Sequence, residues 1–147
     1  MPPHATELRD EVHAALPRLR AMSEEWASQS RGAGRWIRKE ILGHLIDSAA
    51  NNHQRIVRAR FSDPFVWPDY DGNAWVPVHG YGARPWTELV DLWAGLNGQV
   101  AAAMASVPSD RLETSCRIGG DPPVSLDWLM RDYVRHLRHH LAQILGE

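Results

Sequence analysis

The sequence predicts an all-α fold, a four-helix bundle with two long connections, on three observations. Four segments of bundle length repeat apolar residues at three-and-four spacing. Two stretches dense in proline and glycine, residues 62–84 and 108–123, separate the later ones. No segment alternates polar and apolar residues long enough to build a sheet, although residues 114–118 read as a short extended piece.

The first helix spans residues 5–29, with Leu8, Val12, Ala15, Leu19, Met22 and Trp26 inward and a kink or break expected at Pro17. The second, residues 35–61, has no proline and turns Ile37, Ile41, Leu45, Ala49 and Ile56 inward. Residues 62–84 hold three prolines and three glycines, so no helical period survives. They read as a long ordered loop whose Trp67, Tyr70, Trp75 and Tyr81 either wall a site or cap the bundle end. The third helix opens at Pro85 and buries Leu89, Leu92, Trp93, Leu96, Val100 and Met104, with Gly95 and Gly98 weakening its middle. Ser125 is placed to N-cap the last helix, residues 126–145, which buries Leu126, Leu129, Met130, Tyr133, Leu137, Leu141 and Ile144.

A chain of 147 residues with 44% apolar content can bury one sizeable core, which predicts a single domain over residues 1–147. A net charge of -2 lacks the basic surplus of a nucleic-acid binder, so no nucleic-acid partner is expected. No apolar run is long enough to cross a bilayer, which argues against a membrane partner. The lone cysteine, Cys116, can form neither an internal disulfide nor a CxxC pair, and this fits a reducing, cytoplasmic setting. Cys116 itself reads as a packed thiol rather than a nucleophile. "DYDGNAW" starts like a calcium loop, but Ala74 stands where the turn glycine belongs and Gly80 where the bidentate glutamate belongs.

Chemistry concentrates in "RHLRHH", residues 135–140, which holds three of the eight histidines. At about 100° per residue, His140 falls between Leu129 and Tyr133 on the inward face. His136 lies about 40° toward the polar side, and His139 about 100° away toward solvent. On the second helix His44 sits at the edge of the apolar stripe, whereas His53 lies opposite and is expected exposed. Two histidines at i, i+4 and one from a facing helix supply three imidazole nitrogens to a divalent ion and leave positions open for water or substrate. The competing reading takes them as polar residues at a core edge, or as cations near a helix C-terminus. Asp132, Asp47 and Glu40 stand within a turn of these histidines, where a carboxylate can fix the ligand tautomer. Ser48, Asn51 and Arg55 follow His44 along nearly one meridian, so Arg55, Asn51 and Glu40 are the candidates to act on a bound substrate. Leu137 follows His136 where a zincin would carry glutamate, which disfavours the peptidase mechanism of that motif.

Taken in order, "WIRKEILGHLIDSAANNHQRI", "FVWPDYDGNAWV" and "LDWLMRDYVRHLRHHLAQI" resemble the DinB-like, or YfiT-like, superfamily of metal-binding helical bundles across about residues 36–147. The resemblance implies an up-down-down-up bundle, often a homodimer. It also implies a zinc, nickel, manganese or iron ion on His44 of "GHLIDS" and on His136 and His140 of "HLRHH". Members with known chemistry, mycothiol-dependent maleylpyruvate isomerase and bacillithiol S-transferases, work on thiols. The implied activity is therefore thiol transfer between a low-molecular-weight thiol and a small-molecule substrate. A metal-dependent hydrolase that acidifies a bound water is the alternative, and a non-catalytic, metal-stabilised stress-related bundle is the competing class. Some members append a second domain, and none is expected here.

Overall fold

Four long apolar stripes can leave water only against one another, and the arrangement they reach follows from which helix ends meet. The computed structural model describes residues 3–147. Its elements are α1 (Pro3–Arg20), α2 (Glu24–Ser28), α3 (Arg38–Ala59), β1 (Phe65–Trp67), α4 (Gly72–Trp75), α5 (Trp86–Ala105), β2 (Ser115–Ile118), β3 (Val124–Ser125) and α6 (Leu126–Leu145). The bundle consists of α1, α3, α5 and α6, with α1 and α3 each packed on both α5 and α6.

Polar contacts at the helix ends fix the directions. His4 Nε2 lies 2.8 Å from Asp127 Oδ1 and Arg18 reaches Glu147 at 2.5 Å, so α1 and α6 run parallel. Trp86 Nε1–H donates to the Leu19 carbonyl at 2.7 Å, setting α5 antiparallel to α1. Arg38 Nε donates to the Ile144 carbonyl at 3.3 Å, which makes α3 antiparallel to α6. Arg60 Nη1 donates to the Ser106 carbonyl at 2.6 Å, so α3 and α5 are parallel. The result is the expected up-down-down-up bundle.

Several sequence expectations shift in detail. Pro17 does not break α1, because it lies in the last turns, where the lost N–H removes one bond near an end that closes at Arg20 anyway. The expected 5–29 helix is instead two helices, since Ser23 caps α2 by accepting from the Trp26 N–H at 3.1 Å. Trp26 leaves the core and stays 43% exposed, with the Arg38 guanidinium 3.8 Å above its ring. Along α5, Leu92 and Leu96 move to the margin while Asn97 takes an interior place. Asn97 is satisfied there: its Oδ1 accepts from the Tyr133 hydroxyl at 2.5 Å and its Nδ2 donates to the Trp93 carbonyl at 2.9 Å. His53 is half-buried rather than exposed.

The connections also hold a sheet that was not expected. β1 pairs parallel with β2, and β2 pairs antiparallel with β3. Strands of two to four residues are too short to display an alternation, and their pairing joins two loops distant in sequence. Cys116 is buried in β2, and burial followed by the Asp63 charge pushes its thiol up to about 11, so it packs rather than reacts. Among the described residues no helix is long and apolar enough to cross a membrane.

The first long connection ends by docking Tyr81 against α3. Its ring fills the space over Gly43, where a Cβ would lie 2.1 Å from a ring carbon, and its hydroxyl donates to Asp47 Oδ1 at 2.7 Å. Gly43→Ala is therefore expected to destabilise by about 1–3 kcal/mol through overpacking. Gly98→Ala, with nothing within 4 Å of the new methyl, should instead stabilise by about 0.4–1 kcal/mol. Denaturant unfolding of the two variants checks both signs.

Candidate metal centre

The antiparallel packing of α3 on α6 brings the start of one helix to the last turns of the other. His44 thereby meets His136 and His140, and one ligand nitrogen from each lies within 4.8 Å of the other two. His44 Nε2 and His136 Nε2 are 3.1 Å apart. The ring centroids of the three imidazoles are 4.5–5.0 Å apart, edge to face.

Burial disfavours the charged form of all three rings. Burial, followed by the neighbouring His140, pushes His44 down to about 4. Burial and then the charges of His140 and His44 do the same to His136, also to about 4. His140 is lowered as well, chiefly by burial. Gln143 Oε1 lies 2.8 Å from His140 Nδ1, and accepting from that N–H leaves Nε2 bare toward the cluster. His44 Nδ1 is enclosed without a partner, so the polar contact of that ring is made at the cluster.

This donor set fits a divalent ion. With metal–nitrogen bonds of about 2.0–2.1 Å, two imidazoles on one ion lie about 3–3.4 Å apart, the spacing His44 and His136 already have. Among the described residues no fourth histidine, cysteine or carboxylate joins the cluster. His79 is occupied elsewhere, 3.3 Å from the Tyr81 hydroxyl and 3.6 Å from Asp47 Oδ1.

A cavity of about 240 Å³ opens from His44 and His136 between α3, α6 and the first long connection. Arg55 and Ser48 line it as their helical phase suggested, but Asn51 does not. Asn51 Nδ2 turns back on its own helix to the Asp47 carbonyl at 2.9 Å, and Asn52 takes the wall position instead. Glu40 is also displaced from its expected role. Its carboxylate accepts from the Ile37 N–H at 3.1 Å at the start of α3, satisfying an end-of-helix donor. Asp47 is engaged by Tyr81, and burial raises it despite that bond. Of the three carboxylates within a turn of the histidines, Asp132 reaches the cavity, with Oδ1 taking both Arg135 donors at 2.8 and 2.5 Å, and Asp69 of the first long connection lines it too.

Of the four loop aromatics, Tyr70 walls the cavity and Trp75 backs it edge-on at 5.3 Å, whereas Trp67 and Tyr81 pack elsewhere. Sequence reasoning missed Trp36, whose ring lies 5.0 Å from that of His44, and Gly72, which presses on the same imidazole. It missed Gln143 too, which its place one turn beyond His140 could have signalled. Gly72 gave no signal, because its closeness to His44 depends on how the connection folds.

A Cβ on Gly72 would lie 2.9 Å from His44 Cε1, so Gly72→Ala is expected to lower metal affinity about tenfold while the bundle stays folded. Competition with a chromophoric chelator measures this. The metal-free protein should also lose stability as pH falls. Unfolded histidines take up protons near 6.5, whereas folded His44 and His136 resist until about 4. The loss therefore accumulates between those values, and His136→Gln should flatten it in thermal melts across the same window.

Comparison with known proteins agrees with this architecture. A "putative metal-dependent hydrolase" of Oceanobacillus iheyensis is 22% identical over 128 residues, covering 86% of this chain and 72% of that one. A solved structure, YfiT from Bacillus subtilis, described as "a probable metal-dependent hydrolase with an unusual four-helix bundle topology", superposes with a TM-score of 0.82 at 21% identity. It covers 98% of this chain and 83% of its own. The sequence pattern of the DinB superfamily matches residues 7–144, nearly the whole length over which α1, α3, α5 and α6 assemble the three histidines. The chain belongs to the DinB superfamily.

Proposed function

We propose that this protein is a metal-dependent hydrolase of a small molecule, with the ion held by His44, His136 and His140. One observation carries the reading: three imidazoles converge, two of them, His44 and His136, open onto a cavity, and among the described residues no fourth ligand closes their cluster. A zinc, nickel or iron ion suits such a set better than manganese, which favours oxygen donors. Bound there, the ion would polarise a substrate oxygen and lower the pKa of water.

The protein's own residues supply the rest. Gln143 holds His140 in one tautomer. Asp132, one turn before His136, has Oδ1 committed to Arg135, so Oδ2 is the oxygen that can receive a proton from water or return it to a leaving group. Ser48, Asn52 and Tyr70 give the wall hydrogen-bonding groups, and Leu129 and Tyr133 keep the opposite side apolar. The hydrolase names borne by the Oceanobacillus and Bacillus proteins support the same class.

Thiol transfer is the second reading, favoured by the same open triad, since a soft thiolate suits zinc or nickel as well as water does. In it a low-molecular-weight thiol would be the cosubstrate. A homodimer in the cytoplasm belongs to either reading, and light scattering tests the dimer.

Tag-free protein purified without added metal should carry near-stoichiometric ion by elemental mass spectrometry, and folded His44→Ala, His136→Ala and His140→Ala variants should carry none. Metal-loaded protein should cleave neutral esters or amides faster than the metal-free form. Asp132→Asn should lower kcat about 100-fold with metal content unchanged. Thiol-dependent turnover without hydrolysis would select the second reading. Bound metal with neither activity would select the non-catalytic bundle. Failure to bind zinc, nickel, manganese or iron at all would overturn the site.

A further inference from the structure

Beyond the cavity at the histidines lies a second chamber of about 400 Å³, and Arg55, Asp69, Leu129 and Asp132 line both. The far chamber is mainly apolar, walled by Ile118, Pro122 and Val124 from the second connection and by Trp128 and Leu129 of α6. Trp128 is 45% exposed, an unusual outlay of indole surface unless something covers it. Together the chambers have the size of a small-molecule site.

Arg55 stands between them, 91% buried by its 9% exposure, and among the described residues is the one arginine or lysine lining either chamber. Its charge is already met, because Nη2 donates to Asp69 Oδ1 at 3.2 Å. Its hydrogen-bonding capacity is not. A guanidinium has five N–H donors, and the structure uses one, with Nε enclosed and unpartnered. The remaining charges are Asp132, paired with Arg135, and Asp121 at the exposed rim. The boundary therefore has no positive charge to spare but has donors to spare. A neutral acceptor satisfies it, whereas a carboxylate would meet Asp69, Asp121 and Asp132 without a free cation.

We propose that the two chambers hold one neutral carbonyl compound, an ester or amide, whose oxygen accepts from Arg55 and whose apolar acyl or aryl portion fills the chamber beside Trp128. This deepens the hydrolase reading and rests on it for the fate of the ligand, but not for its binding.

The test is binding to metal-free protein, where no turnover occurs, using 3-phenylpropanamide against 3-phenylpropanoate, 3-phenylpropylamine and propanamide. Calorimetry and tryptophan fluorescence should show 3-phenylpropanamide bound at least tenfold more tightly than the other three. Arg55→Met, and Arg55→Lys, which keeps the charge but not the planar fork, should each lose at least tenfold. Trp128→Ala should lose affinity for 3-phenylpropanamide, abolish the fluorescence response and leave propanamide unchanged. Should the arginine variants not fold, the four probes on the unsubstituted protein still decide. Tighter binding of the acid or the amine, equal binding of all four, or no binding of 3-phenylpropanamide at 10 mM would each overturn the proposal. Amide binding with no hydrolysis of 3-phenylpropanamide or of the matching methyl ester by the metal-loaded protein would overturn the hydrolase reading and leave the chamber standing. Hydrolysis without amide binding would do the reverse.

Discussion

Three imidazole nitrogens share a space 4.8 Å across in a half-buried bundle wall, where burial disfavours the charged form of each ring. Protonating any of them places a charge against two neighbours in a region of reduced dielectric. Much of the surrounding chemistry follows from that constraint. Gln143, a neutral amide, fixes the orientation of His140, although accepting from its N–H works against the lowering that burial imposes, and a glycine rather than a larger residue lies against His44. Trp36 covers the ring from another side. A carboxylate in direct contact with an imidazole would tend to draw a proton onto it, and here the nearby acids are engaged elsewhere: Glu40 with Ile37, Asp47 with Tyr81, Asp132 with Arg135.

The triad was legible because helical phase is a strong signal. His44, His136 and His140 lie at the borders of apolar stripes, and a border residue on one helix meets a border residue on its neighbour. The same arithmetic put Ser48 and Arg55 on the cavity. It did not separate Asn51 from Asn52, adjacent residues that both border the meridian: each amide bonds back to the carbonyl four residues earlier on its own helix, yet only Asn52 lines the cavity. It failed at Glu40: a carboxylate at the third position of a helix has an unsatisfied backbone N–H within reach, and that bond wins over a more distant imidazole.

What stayed hidden depends on contacts between segments that no period links. The sheet of β1, β2 and β3 joins two connections, and the approach of Gly72 to His44 joins a connection to a helix. Trp26 shows the converse. Its position matched the apolar stripe of α1, yet the chain turns at residues 21–23, so a phase carried past Arg20 pointed at solvent.

The topology explains why those hidden contacts form the site. Because α3 and α5 run parallel, the chain must return the full length of α3, whose 22 residues span about 33 Å. An extended chain covers that distance in about ten residues. Residues 60–85 are well over that length, and the surplus is folded into β1, α4 and two 3-10 turns, which deliver Asp69, Tyr70 and Gly72 to the cavity. The connection from α5 to α6 joins ends at the same pole of the bundle and has no such distance to cover, yet it is long enough to add β2 and β3 and the apolar wall of the second chamber. Helices thus hold the histidines, and connections shape much of what can approach them. A change in the connections can alter the ligand while leaving the triad intact, whereas a change of helical phase at His44, His136 or His140 removes both.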